Sequence, residues 1–176
     1  MKLAKYNFIS FITLFTGIAI GYFVNIKFLS DNFIDLSFNE DFSLYSLKFD
    51  LIIFRKIFLK NIIVAFFLSI GGYFSGGILT IAVLLTNGFN LGNYFTSYHY
   101  CNISLLEFSY YFIFHGILEF YSFFLFSIIG YNGYKFYRDI FLENEIKINI
   151  ELNSFIKPTI ILIIAATIEC FLISNF

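Results

Sequence analysis

The chain has 176 residues, of which 59% are hydrophobic and only 13% charged, and its mean hydropathy is +0.81. A soluble domain carries about 25% charged residues, so this composition suits lipid as the solvent and excludes a water-soluble catalytic domain. A net charge of −1 excludes the basic field that nucleic acid demands, and the two distant cysteines, Cys101 and Cys170, show neither metal-ligand spacing nor a disulfide framework.

The first apolar run spans residues 8–28, long enough for the roughly 20 residues that cross a hydrocarbon core. Lys2 and Lys5 precede it as in a signal peptide, but no small-x-small cleavage site follows, so it reads as a retained helix. Gly17 and Gly21 within it form a small-xxx-small pattern that admits a second helix closely. Residues 30–50 are the most polar stretch, with Asp31, Asp35, Glu40 and Asp41, and read as an exposed connection. From Lys48 to Asn61 the periodicity is helical. Lys48, Arg55, Lys56 and Lys60 fall near one face and Phe49, Ile52, Ile53, Ile57 and Phe58 on another, the pattern of an interfacial amphipathic helix whose lysines reach headgroups.

Residues 61–95 are almost uncharged. Two readings stand: one helix over 61–86 followed by a re-entrant loop, or two short helices broken near Gly71-Gly72 or Gly76-Gly77, which puts an extra short span within 75–97. The first is preferred because Asn87-Gly88-Phe89-Asn90 has turn chemistry. Gly72, Gly76, Gly88 and Gly92 are then helix-packing or turn positions. Residues 94–104 read as an interfacial loop, with Tyr94, Tyr98 and Tyr100 at headgroup depth. A further span covers 105–131. Residues 135–157 are polar, and the alternation of Ile146, Ile148, Ile150 and Leu152 leaves that stretch unassigned. Pro158, the single proline, suits a first helical turn, and the last span runs over 159–176.

The expected fold is therefore an all-α, polytopic transmembrane bundle of four to five spans with one interfacial amphipathic helix. With four spans, the positive-inside rule puts both basic connections in the cytoplasm and strands Lys2 and Lys5 outside. A fifth span within 61–95 keeps the N-terminus inside but splits those connections.

The informative residues are ionisable groups at membrane depth. His115 and Glu119, at i and i+4, share a helix face that Glu107 and Tyr111 continue, with Gly116 between them. Glu169 lies near the middle of the last span. A charge at the bilayer centre costs roughly 2.5–3.5 kcal/mol on insertion scales, so such residues face a bundle interior and find partners. Two roles compete for this cluster: a clasp that ties helices together, the commoner outcome, or a site that relays protons or holds an ion. His115-Gly116-Ile117-Leu118-Glu119 is not the zinc-binding H-E-x-x-H pattern, and no paired serine–histidine, aspartate pair, phosphate-cradling loop or cofactor motif occurs. No enzyme, metal or cofactor is expected, and an intramembrane hydrolase is kept only as the last of the alternative readings.

These residues also carry a resemblance. Ile57-Phe58-Leu59-Lys60-Asn61, the helix through Gly72 and Gly76, Asn87-Gly88 with Gly92, His115-Gly116-Ile117-Leu118-Glu119 and Ala165-Ala166-Thr167-Ile168-Glu169 resemble, in order and spacing, the stage II sporulation protein M family. The resemblance runs from about residue 57 to the C-terminus. It implies a prokaryotic cytoplasmic-membrane protein of about five helices that is not an enzyme. Founding members anchor cell-wall hydrolases during engulfment. Others accompany circular bacteriocin genes and ABC-type exporters, in secretion or self-immunity, so a non-catalytic subunit that scaffolds or recruits partners is the first expectation, and a permease-like exporter or immunity subunit, docking an ATPase through Lys48–Lys60, the second. The partners it implies are the bilayer, other membrane proteins (a cell-wall hydrolase complex or an ABC ATPase) and a second copy of the chain.

Overall fold

A computed structural model describes residues 2–31, 49–100, 105–142 and 151–173. The described residues are helical almost throughout: α1 (Lys2–Asp31), α2 (Leu51–Phe66), a π-helical turn (Phe67–Gly71), α3 (Gly72–Phe74), α4 (Ile78–Tyr100), α5 (Leu105–Phe141) and α6 (Asn153–Ile173). The turn and α3 continue α2 without a break, so these elements make five rods.

The second rod starts where Asp50 caps it, its carboxylate accepting from the amides of Ile52 and Ile53 at 2.7 and 3.2 Å, the usual way to satisfy orphan donors at a helix start. It is not a separate interfacial helix. The Arg55–Lys60 stretch continues directly into the apolar rod, and Asn61 and Ala65 on it are buried. The π turn then offsets the register, and the Leu68 carbonyl accepts instead from Thr80 Oγ1 at 2.9 Å. Insertions of this kind are rare and widen a helix by one residue.

The single helix expected over 61–86 is corrected by the break at Gly76-Gly77. Both glycines have positive φ, 66° and 92°, a region that side chains with Cβ rarely enter. The Gly77 amide reaches back to the Gly72 carbonyl at 2.7 Å, closing α3 as a left-handed helix end does. Ser75 Oγ accepts from the Leu79 amide at 2.9 Å and opens α4. Asn87-Gly88-Phe89-Asn90, expected as a polar break, is mid-helix in α4. Asn87 turns its amide back on the Val83 carbonyl at 2.8 Å, and Gly88 is buried against α1. The interfacial loop expected from residue 94 is also helical as far as Tyr100.

The other expected ends shift outward. α5 runs ten residues past 131 to Phe141, and α6 begins at Asn153 with Pro158 inside it rather than at its start. The loss is local, because a proline one to two turns into a helix removes one backbone bond.

Side-chain contacts set the directions. Gly17, Gly21, Gly88 and Gly92 mesh so closely that a Cβ on any of them would strike backbone of the opposite helix, Gly17 against Leu85 and Gly88, Gly92 against Ile18. Thr96 Oγ1 lies 3.3 Å from the Tyr22 carbonyl, so α1 and α4 run parallel. The Ser10 and Ser127 hydroxyls, 2.6 Å apart, and the Tyr6 and Tyr131 rings, stacked at 5.6 Å, together set α5 antiparallel to α1. Ser122 Oγ donates to the Pro158 carbonyl at 2.8 Å, and the Phe126 and Phe155 rings are 6.2 Å apart, so α6 is antiparallel to α5. The five rods thus alternate in direction along the chain. Their common core is Ala65, Leu68, Leu84, Phe123, Phe126, Ile129 and Leu162.

Among the described residues three helices are long and apolar enough to cross a membrane, over Tyr6–Lys27, Ile78–Ser97 and Asn153–Leu172. The midpoints of the first two fall at the Gly17–Gly88 crossing. That of the third falls at Leu162, which is level with about residue 118 of α5 by the antiparallel register. These midpoints define a mid-plane of the bundle.

Candidate functional site

Glu119 sits at that mid-plane on α5, its carboxyl near the buried Asn61 side chain of α2, with Glu169 of α6 and Lys60 of α2 as charged neighbours. Glu169 has Lys60 as its own charged neighbour. Three rods therefore contribute to one polar cluster. A second route gives the same level for α2: about two turns back from Leu68 reaches Lys60, and about two turns on from its partner Thr80 reaches Gly88. Lys60, Asn61 and Glu119 thus share the depth at which α1 and α4 cross.

Glu169 lies below this level, toward the end where Cys170 Sγ donates to the Asp50 carbonyl at 3.2 Å and the Phe49 and Phe171 rings meet at 5.6 Å. The α5–α6 register puts Glu169 closer in height to the turn before His115 than to Glu119. His115 is half-buried on the same helix as Glu119, one turn earlier, and Gly116 is buried beside it. Glu107 belongs to α5 by its backbone, but its side chain lies outside the described residues, as does Lys48. Arg55, Lys56 and Lys60 are exposed on α2. Among the sequence-predicted residues, the structure brings together Glu119, Glu169 and Lys60. It leaves Arg55 and Lys56 on the surface nearer the α2 start. Gly72 packs on Thr80 and Gly130, and Gly76 forms the turn.

Sequence reasoning gave Asn61 no part in the polar cluster. Its signal was weak but present, a single amide in an apolar run that begins one residue after a lysine. Gly130 and Gly133 were missed entirely. A Cβ on Gly130 would fall on the Leu68 carbonyl and the Thr80 hydroxyl, and one on Gly133 on the Tyr73 carbonyl, so both let α5 lie directly on the second rod. A second buried polar group joins α1 to α5, where the Tyr131 hydroxyl lies beside Ser10 and Thr13 and Ser10 touches Ser127. At the α5 terminus, the hydrogen-bonded Asp139 carboxylate holds the exposed Arg138 guanidinium above its ordinary value.

Chemically, this arrangement joins helices. Asn61 sets a neutral amide near Glu119, and the remaining deep hydroxyls of Ser69, Thr80 and Ser122 each donate to a backbone carbonyl. Among the described residues no group of three or more histidine, cysteine or carboxylate side chains is placed to hold a metal ion.

A helical bundle with three membrane-length apolar helices and a polar cluster at mid-depth defines an integral membrane protein of the all-α class. The model of the Stage II sporulation protein M family matches residues 10–173, nearly the whole chain, and the chain belongs to that family. No curated protein and no solved structure matches it.

Proposed function

We propose that this protein is a non-catalytic, multi-pass subunit of a prokaryotic cytoplasmic membrane that scaffolds or recruits membrane and cell-envelope partners. The observation that carries the reading is the family match over residues 10–173. The way the deep polar groups are used supports it. Glu119 lies near Asn61, and Ser122 and Thr80 are tied to backbone of other rods, which is what a rigid platform needs and what a reactive centre does not.

In this reading each of the five alternating rods is a span, and the N-terminal end of α1 then shares a side with the Gly76-Gly77 turn and the end of α5. Among the described residues that side carries Lys2, Lys5, Lys135, Arg138 and Lys157, and the opposite side Lys27, Arg55 and Lys56. The positive-inside rule then makes the first side cytoplasmic. The exporter reading needs the basic start of α2 to meet a cytoplasmic ATPase, and this orientation puts it on the other side.

The test is purification of the tagged protein from native membranes in mild detergent, with co-purifying proteins identified by mass spectrometry. Stoichiometric recovery of cell-wall hydrolases or their anchors is the expected result. Recovery of an ABC ATPase in their place sinks the scaffold reading.

A further inference from the structure

Between α1, α4 and α5 runs a groove of about 450 Å³ whose lining side chains are all aliphatic or aromatic. Leu14 and Leu91 are buried on its floor, and Phe15, Ile117 and Tyr121 are exposed along its rim. Leu14 and Ile18 flank Gly17, Leu91 lies one turn past Gly88, and Ile117 and Phe120 flank residue 118. The groove is therefore centred on the mid-plane of the bundle, inside the hydrocarbon core. At this depth the medium is acyl chain, and a gap left unfilled forfeits the dispersion contacts of its lining. A transmembrane helix, about 10 Å across, takes roughly 1,200 Å³ over ten residues, which the groove does not admit. A single acyl chain is narrow enough to enter. One cation stands at the mouth. Lys157 of α6 sets its ammonium over the Tyr121 ring, 5.8 Å from the centroid. It is exposed, makes no salt bridge among the described residues, and is not a charged neighbour of Glu119 or Glu169. By the α5–α6 register it is level with about residue 123, roughly 8 Å from the mid-plane. The edge of the core, at roughly 15 Å, is within reach of its stem, so its ammonium can meet lipid phosphates.

We propose that this groove is a binding site for an anionic phospholipid of the leaflet on the Gly76-Gly77 side, with one acyl chain descending past Phe120 and Leu14 to Leu91 and the phosphate held by Lys157. Two separate features name the occupant. Width and depth select an acyl chain, and the cation at the mouth selects a negative headgroup over a net-neutral one. The buried floor keeps the chain between three rods, which sets it apart from lipid that coats the outside of the bundle. The inference goes beyond the scaffold reading. It assigns a lipid ligand where that reading assigns protein partners, and it rests only on the bundle spanning a membrane.

The test uses the full chain in vesicles of equal phosphatidylglycerol and phosphatidylcholine. A trace of either lipid is added with a photoreactive diazirine in the middle of one acyl chain, and the cross-linked residues are mapped by mass spectrometry. In wild type the cross-links are expected to concentrate on Leu14, Ile18, Leu91 and Phe120, with the phosphatidylglycerol probe labelling them about five-fold more than the phosphatidylcholine probe. Lys157→Gln is expected to remove that preference while the groove is still labelled. Ile117→Trp, which fills the groove from its rim, is expected to abolish groove labelling by both probes. Cross-links spread evenly over the outer faces of the bundle overturn the proposal, as do equal labelling of wild type by the two probes and a preference that survives in Lys157→Gln. Groove labelling that disappears as the protein-to-lipid ratio is raised assigns the groove to a second copy and also overturns it. If either variant fails to fold, the distribution and the headgroup preference in wild type decide alone. None of these results depends on which proteins co-purify, so failure here and failure of the scaffold reading are separate outcomes.

Discussion

Asn61 and Glu119 illustrate how much a single side chain matters in this bundle. Burying a polar group without a partner costs about 1–3 kcal/mol, and in lipid the alternative partners are few. Asn61→Leu is therefore expected to destabilise the protein by about 1–3 kcal/mol, because it removes the amide nearest the Glu119 carboxyl. Glu119→Gln keeps a side chain that can bond to Asn61 and is expected to cost less. Equilibrium unfolding of both variants in mixed detergent micelles measures the difference, and an Asn61→Leu variant as stable as wild type contradicts the clasp role. Thr80→Val tests the π turn in the same way. It leaves the Leu68 carbonyl without its donor, and the expected loss is about 1 kcal/mol. The depth of Glu119 was legible in the sequence, since helix length and spacing place it. Its partner was not, because Asn61 lies 58 positions away and only the packing of α5 on the second rod sets them together.

At the scale of elements, two glycine pairs do opposite things. Gly76 and Gly77 end a helix, while Gly88 and Gly92 sit inside one. Composition does not separate the two cases, because a polar Asn-Gly-x-Asn run looks more like a turn than Ser-Gly-Gly does. The physical distinction is tertiary. Gly88 and Gly92 are flattened against Gly17 and Gly21 of α1, and helix–helix packing in lipid favours such small surfaces, so α4 continues through its asparagines. Substituting Gly88→Leu is expected to cost at least about 1–3 kcal/mol, since its Cβ would meet the Leu14 carbonyl and the Gly17 backbone. A fall in melting temperature in detergent, with α1 becoming accessible to protease, is the readout. Gly77→Ala is expected to be destabilising through backbone strain at φ 92° and through its contact with Tyr131 at 3.2 Å, by more than about 1 kcal/mol.

At the scale of the whole molecule, the proposed five-span reading avoids a conflict that four spans leave open. With the break at Gly76-Gly77, the N-terminus, that turn and the end of α5 share one side, and Lys2 and Lys5 join Lys135 and Arg138 there. Single-cysteine labelling with a membrane-impermeant maleimide checks this in a Cys101→Ser, Cys170→Ser background. Arg138→Cys is expected to label only in inverted vesicles and Lys27→Cys only in intact cells. Labelling of both from the same side contradicts the alternation.

The sequence by itself determined the apolar composition, the helical class and the family resemblance. These follow from composition and from spacing within one helix, both of which are local. The tertiary structure alone decided the number of rods, which glycines turn and which pack, and that Lys60 and Asn61 lie near Glu119. Each of these depends on which surfaces lie opposite one another. A glycine or a lysine carries no mark of its neighbour until the backbones have approached.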